Sequence, residues 1–185
     1  AVADGVVGLS DHGAVDLALG LEKRTPWPDP DDPRAPAFEA LPAALRARLG
    51  AFLDGGGVLV VSGAHWASDA ATDPASAAWV RERLGAQAAG VAVPGEAPAT
   101  RALAMDGALA PFVTEYGPDH TAVRASDVLA PVGGARTVRT YGDAERPAAV
   151  ALGRAVSFAI PLEAVADDRL RAVLLGQALR LAEGR

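Results

Sequence analysis

Apolar and polar positions alternate in two rhythms along this chain. From Leu41 to Leu53, apolar residues stand at Leu41, Leu45, Leu49, Phe52 and Leu53. That is the repeat of one helical face, and it predicts an amphipathic helix with its arginines on the opposite side. Gly55, Gly56 and Gly57 follow and stop the helix, because glycine takes the left-handed cap conformation readily. Val58 to Val61 is then an unbroken apolar run, VLVV, as expected for an inner parallel strand buried on both faces. A small polar loop, Ser62 to Asp69, leaves the carboxyl end of that strand. Helix, strand and loop make one step of a layered α/β domain.

The rest of the chain reads more coarsely. VVGL and VDLALGL before residue 24 each suit a short strand or a helical turn. Thr25 to Pro36 holds five prolines and is a surface loop. Ala75 to Leu84 is a second helix, with Trp79, Val80 and Leu84 facing inward. Gly85 to Met105 is rich in small residues and has weak strand potential. Short β segments follow, TAVRA, DVLAPV and RTVRTY. AAVAL and AVSFAI flank Gly153-Arg154, which predicts a hairpin pairing Ala148–Leu152 with Ala155–Ile160. Val156 and Phe158 then share a face. A last helix spans Asp167 to Leu181, capped by Asp167 or Asp168, with Leu170, Val173, Leu174 and Leu181 as its buried stripe.

Composition narrows the function classes. The chain has 185 residues, a formal charge of −6 and no cysteine. This length suits one domain with a substantial core. The acidic balance argues against a nucleic-acid partner, which needs a basic surface. Lack of cysteine removes disulfides, thiolate-bound zinc and thiol nucleophiles together. No apolar run reaches the length of a membrane span, so no membrane insertion is expected. The chain begins without Met or a charged-then-apolar leader, and is expected to be a mature piece or a domain cut from something longer.

The polar loop concentrates the candidate chemistry, and Ser62, His65, Trp66, Ser68 and Asp69 are expected to form a shallow pocket that binds a ligand without reacting. Ser62 sits at a strand–helix elbow, where a serine acts as a nucleophile if a base is near and otherwise hydrogen-bonds the loop backbone, the preferred reading. The G-x-S-x-G pattern is absent, however; Val60 and Ala64 stand at its flanking positions. His65 offers a base or a ligand, and Asp69 either caps a turn or completes a polar pocket with Ser62 and Ser68. Trp66 and Trp27 are sugar-stacking platforms if exposed and core residues if not. His12, His65 and His120 are far apart in sequence, and no metal site is expected. DPDDP lacks the spaced oxygens of a calcium loop. Gly55–Gly57 precedes a strand, whereas phosphate-binding glycines follow one. No cofactor is expected.

VDLALGLEKRT, FLDGGGVLVVSGAHWASDA and PAAVALGRAVSFAIPLEAV, followed by a terminal helix, resemble in this order the class I glutamine amidotransferase-like domains of bacterial exported proteins, some labelled xanthan lyase or cell-wall amidase. The Gly-Arg hairpin is shared more widely, including with trehalose-utilisation-type and β-galactosidase middle domains. The resemblance implies a flavodoxin-like fold, a parallel sheet with helices on both faces, and a secreted or cell-envelope location. It also implies that a first βα unit is missing ahead of VDLALG. Active relatives carry a cysteine in a tight turn and a late histidine–glutamate pair. Here Ser62-Gly63-Ala64-His65 follows the strand, Ala159-Ile160 stand in the histidine's place, and only Glu163 remains. Glutaminase activity is therefore not expected. The expectation is one α/β domain over residues 1–185, a non-catalytic module of a larger exported protein. It would support neighbouring domains or bind a glycan or a protein. The alternative is a hydrolase of polysaccharide or cell wall using Ser62, His65 and Asp69.

Overall fold

In the computed structural model, the described residues are 5, 7–24, 39–92, 100–104, 112–114, 123, 125–141, 146–165 and 167–184, with backbone alone for 100–104 and 112–114. Among these residues a seven-stranded sheet is formed, its strands numbered in chain order and adjacent in the order first, second, ninth, eighth, seventh, fourth and fifth. Its strands are β1 (Ala14–Gly20), β2 (Val58–Gly63), β4 (Thr100–Ala104), β5 (Phe112–Thr114), β7 (Arg136–Tyr141), β8 (Arg146–Leu152) and β9 (Ala155–Phe158). β3 (Ala86–Ala92) and β6 (Ser126–Pro131) form a separate antiparallel pair.

β2 holds the centre of the parallel part. It pairs in parallel with β1 on one side and β9 on the other, and all six of its residues are buried. Strand side chains alternate, so the run VLVV serves two layers at once. Leu59 and Val61 pack with Leu45, Leu49 and Phe52 of the helix α1 (Ala43–Asp54). Val58 and Val60 pack with Val156, Phe158 and, from the helix α4 (Asp168–Ala182), Ala178 and Ala182. Helices thus pack against β2 from both of its faces.

The sheet is not the all-parallel one that a flavodoxin-like domain requires. Only β1, β2 and β9 run parallel; β8, β7, β4 and β5 continue the sheet antiparallel. The reason lies in the connections. A tight turn returns the chain beside the strand it has just left, whereas a parallel neighbour needs a long crossover. Gly153-Arg154 is such a turn, and Ala149 to Leu152 pair with Ala155 to Phe158. Val156 and Phe158 share one face and pack in one cluster.

Helix ends follow local chemistry. Gly56 has φ +85° and turns the chain out of α1, while Gly57 N–H closes onto Phe52 O at 3.0 Å. Asp167 caps α4 by accepting from Arg169 N at 2.8 Å and Leu170 N at 3.2 Å. Two side chains depart from the expected faces. Arg46 of α1 turns inward and is buried, donating to Leu41 O at 2.6 Å and to Ser76 Oγ. Val173 of α4 is 46% exposed, and the buried stripe is Leu174, Ala178 and Ala182. The second predicted helix is α3 (Pro74–Trp79), continued by a π turn over Val80–Leu84. Asp73 caps it, accepting from Ser76 N at 2.8 Å.

Candidate functional site

Most of the polar loop is committed to holding the chain together. Trp66 opens the short helix α2 (Trp66–Ala70) but is 0% exposed, its indole N–H donating to Phe158 O at 2.8 Å. It is a core residue joining α2 to β9, and no stacking platform. Asp69 is buried and accepts from Ala40 N at 2.9 Å and from Arg24 N. Those amides flank the proline-rich stretch in sequence, so one carboxylate ties together the segments on either side of it. Ser68 Oγ donates to His65 O at 3.1 Å. Trp27 and His120, and the DPDDP run, lie outside the described residues.

Removing the Asp69 carboxylate leaves the buried Ala40 amide and the partly buried Arg24 amide without an acceptor, which costs about 1–3 kcal/mol. Asp69→Ala is expected to lose that much in chemical denaturation and to be cut faster by protease between Arg24 and Phe38. An unchanged denaturation midpoint would show that the clamp holds nothing.

Asp127, a residue that sequence reading passed over, organises the start of α2. It is fully buried on β6 and accepts from Ala67 N at 2.9 Å and Ser68 N at 2.8 Å. A carboxylate suits a helix N-terminus, yet burial still raises its pKa against those hydrogen bonds. His65 is half-buried beside it. Burial lowers the imidazole pKa; Asp127 opposes that shift and Lys23 adds to it. The Tyr141 hydroxyl donates to Asp127 O at 2.7 Å, and burial pushes its pKa up.

Ser62 turns the other way. It lies on β2 opposite Ala18 of β1 and lines an open cleft of about 460 Å³ with Asp16, Leu162, Glu163 and Arg171. The residue is 1% exposed, and its Oγ has no hydrogen-bond partner. It therefore makes no dyad with His65. Glu163 lies in a short 3-10 turn, Leu162–Ala164, after β9, and its buried Oε2 also has no partner. The fold thus brings Ser62 and Glu163 together and separates Ser62 from His65, Trp66 and Asp69.

Asp16 completes this acidic cleft. Partial desolvation of its carboxyl raises the pKa, and the charge of Glu163 raises it further. Its only sequence signal is one polar position inside the apolar VDLALG run. An acid with a raised folded-state pKa binds its proton more tightly when folded, so its contribution to stability is greatest below the ordinary value near 3.8 and falls as pH rises through the raised value. Asp16→Asn is expected to raise the melting temperature at neutral pH and to leave it nearly unchanged at the acid end. An equal shift at both ends of a pH series of melting curves would contradict this assignment. Among the described residues, no group of three His, Cys, Asp or Glu side chains is placed to hold a metal ion.

No protein-family model and no curated protein matches the sequence. Solved structures do match its fold. The β-galactosidase from Rahnella sp. R3 gives a TM-score of 0.58 at 17% identity, over 97% of this chain and 24% of that one. The α-L-fucosidase isoenzyme 2 from Paenibacillus thiaminolyticus gives 0.56 at 11%, over 97% and 26%. The exo-β-1,4-mannosidase Op5Man5 from an Opitutaceae bacterium gives 0.51 at 14%, over 96% and 25%. The chain spans about a quarter of the length of these structures. At such identities the likeness is one of fold. It corrects the resemblance drawn from the sequence: the neighbours are glycosidase structures, not amidotransferase-like or xanthan lyase-like proteins. The motifs behind that resemblance are a helix stop, an apolar strand and a hairpin, which many α/β domains need.

Proposed function

We propose that this chain is one α/β domain of a larger carbohydrate-acting protein, serving without catalysis to support neighbouring domains or to bind a glycan or a protein partner. The observation that carries this reading is the coverage. Nearly the whole chain corresponds to about a quarter of a β-galactosidase, a fucosidase and a mannosidase. The hydrolase alternative needs Ser62 within reach of a base; Ser62 Oγ has no such partner, and the Asp69 carboxylate is spent on backbone amides.

The purified chain is expected to release no nitrophenol from the p-nitrophenyl β-galactoside, β-mannoside and α-L-fucoside. Turnover that disappears in Ser62→Ala and His65→Ala would put the hydrolase in its place. Amide shift mapping by NMR against glycans and wall fragments separates the two binding roles. Saturable shifts would make the partner a glycan, and their absence would leave support or protein contact.

A further inference from the structure

We propose that the cleft between β1 and the start of α4 binds an organic cation, a primary ammonium or guanidinium carried on an apolar stem. This inference stands apart from the reading of the chain as part of a carbohydrate-acting protein. Asp16 comes from β1, Ser62 from β2 and Glu163 from the turn just after β9. These are the three parallel strands, and the cleft lies towards their carboxyl ends, where open α/β sheets take ligands.

The side chains in the cleft ask for a donor. Ser62 Oγ and Glu163 Oε2 are buried without hydrogen-bond partners, a state that native proteins rarely leave unfilled. Both can accept a hydrogen bond, and an ammonium or guanidinium has several to give. Charge points the same way. Among the described residues lining the cleft, Asp16, Glu163 and Asp168 face a single cation, Arg171. Its guanidinium is already engaged by the Asp168 carboxylate and by Glu163 O at 3.3 Å. The carboxylates of Asp16 and Glu163 are left to repel each other, and a positive group between them relieves that repulsion.

The walls select the rest of the ligand. Ala18, Leu162, Ala172 and Leu175 give the cleft an apolar lining, and its volume lies within the roughly 300–1,000 Å³ of small-molecule sites. A divalent metal fits less well. Calcium takes about 6–8 oxygen ligands, and the described residues hold no cluster of three ligating side chains. A neutral sugar would fill the hydrogen bonds but leave both negative charges uncompensated.

The test is an amide NMR titration of the full 185-residue chain with n-butylammonium chloride. Parallel titrations use 1-butanol, methyl β-galactoside and magnesium chloride. Saturable shifts at Ala18, Ser62 and Glu163 are expected with butylammonium and with none of the others. The isosteric double variant Asp16→Asn, Glu163→Gln should keep its remaining spectrum and bind at least about tenfold more weakly, since each lost charge-assisted hydrogen bond is of that size. Absence of saturable shifts would overturn the proposal, as would equal binding by the double variant. An equal response to butanol would make the cleft merely apolar. The same shifts with the galactoside or magnesium would assign it to a hydroxyl ligand or a metal instead.

Discussion

Replacing Val60 by aspartate is expected to leave no folded protein. Val60 is 0% exposed and lies between Asp16 of β1 and Val156 of β9 in the strand register. Its face of the sheet is closed by Phe158, Ala178 and Ala182. None of these neighbours offers a donor, and Asp16 directly opposite is itself a carboxylate. An unpaired buried carboxylate costs several kcal/mol, comparable with the roughly 5–15 kcal/mol that holds a whole domain together. Far-UV circular dichroism and gel filtration of the soluble fraction read the result. Val60→Ala serves as the control: it removes apolar bulk without burying a charge, and should fold with a loss of about 2 kcal/mol. A soluble Val60→Asp protein with a native melting temperature would remove β2 from the centre of the sheet.

Gly85→Ala is expected to be the next most damaging change. Gly85 ends the π turn before β3 with φ +65°. A Cβ there would stand 2.4 Å from the Ala135 Cβ and 2.8 Å from the Leu152 Cβ, well inside contact distance. The left-handed conformation costs alanine about 1–2 kcal/mol, and forcing the neighbours apart adds about 1–3 kcal/mol. Gly153→Ala isolates the first cost, because Gly153 has φ +52° and open space around its missing Cβ. Urea denaturation should place Gly85→Ala about 1–3 kcal/mol below Gly153→Ala. Equal midpoints would mean that the junction of β3, β6 and β8 is looser than the packing indicates.

The candidate site was legible only in part. Ser62 and Glu163 are readable as polar groups at the ends of apolar strands, and both reach the cleft. Asp16 was not, because its importance rests on a charge brought to it by the far end of the chain. His65, Trp66, Ser68 and Asp69 lie together in sequence, yet a polar residue beside a strand end serves a ligand or the backbone equally well. The backbone took the Asp69 carboxylate through two amides and the Ser68 hydroxyl through the His65 carbonyl, and the core took Trp66. Proximity in sequence says nothing about which partner arrives first in space.

By itself, the sequence determined the features that depend on neighbours a few residues apart. The 3.6-residue period made α1 and α4, aspartates just ahead of them capped α3 and α4, glycines ended α1, and the Gly153-Arg154 turn paired β8 with β9. Tertiary structure decided whatever needed a distant partner. Strand direction beyond the hairpin depends on which strands meet, and four of the seven join antiparallel. Arg46 points inward because Ser76 and Asp73 stand within its reach, and Val173 stays half exposed because, among the described residues, no element covers it. The acidic cleft exists because three chain segments end side by side, bringing charges together that no local pattern of residues can encode.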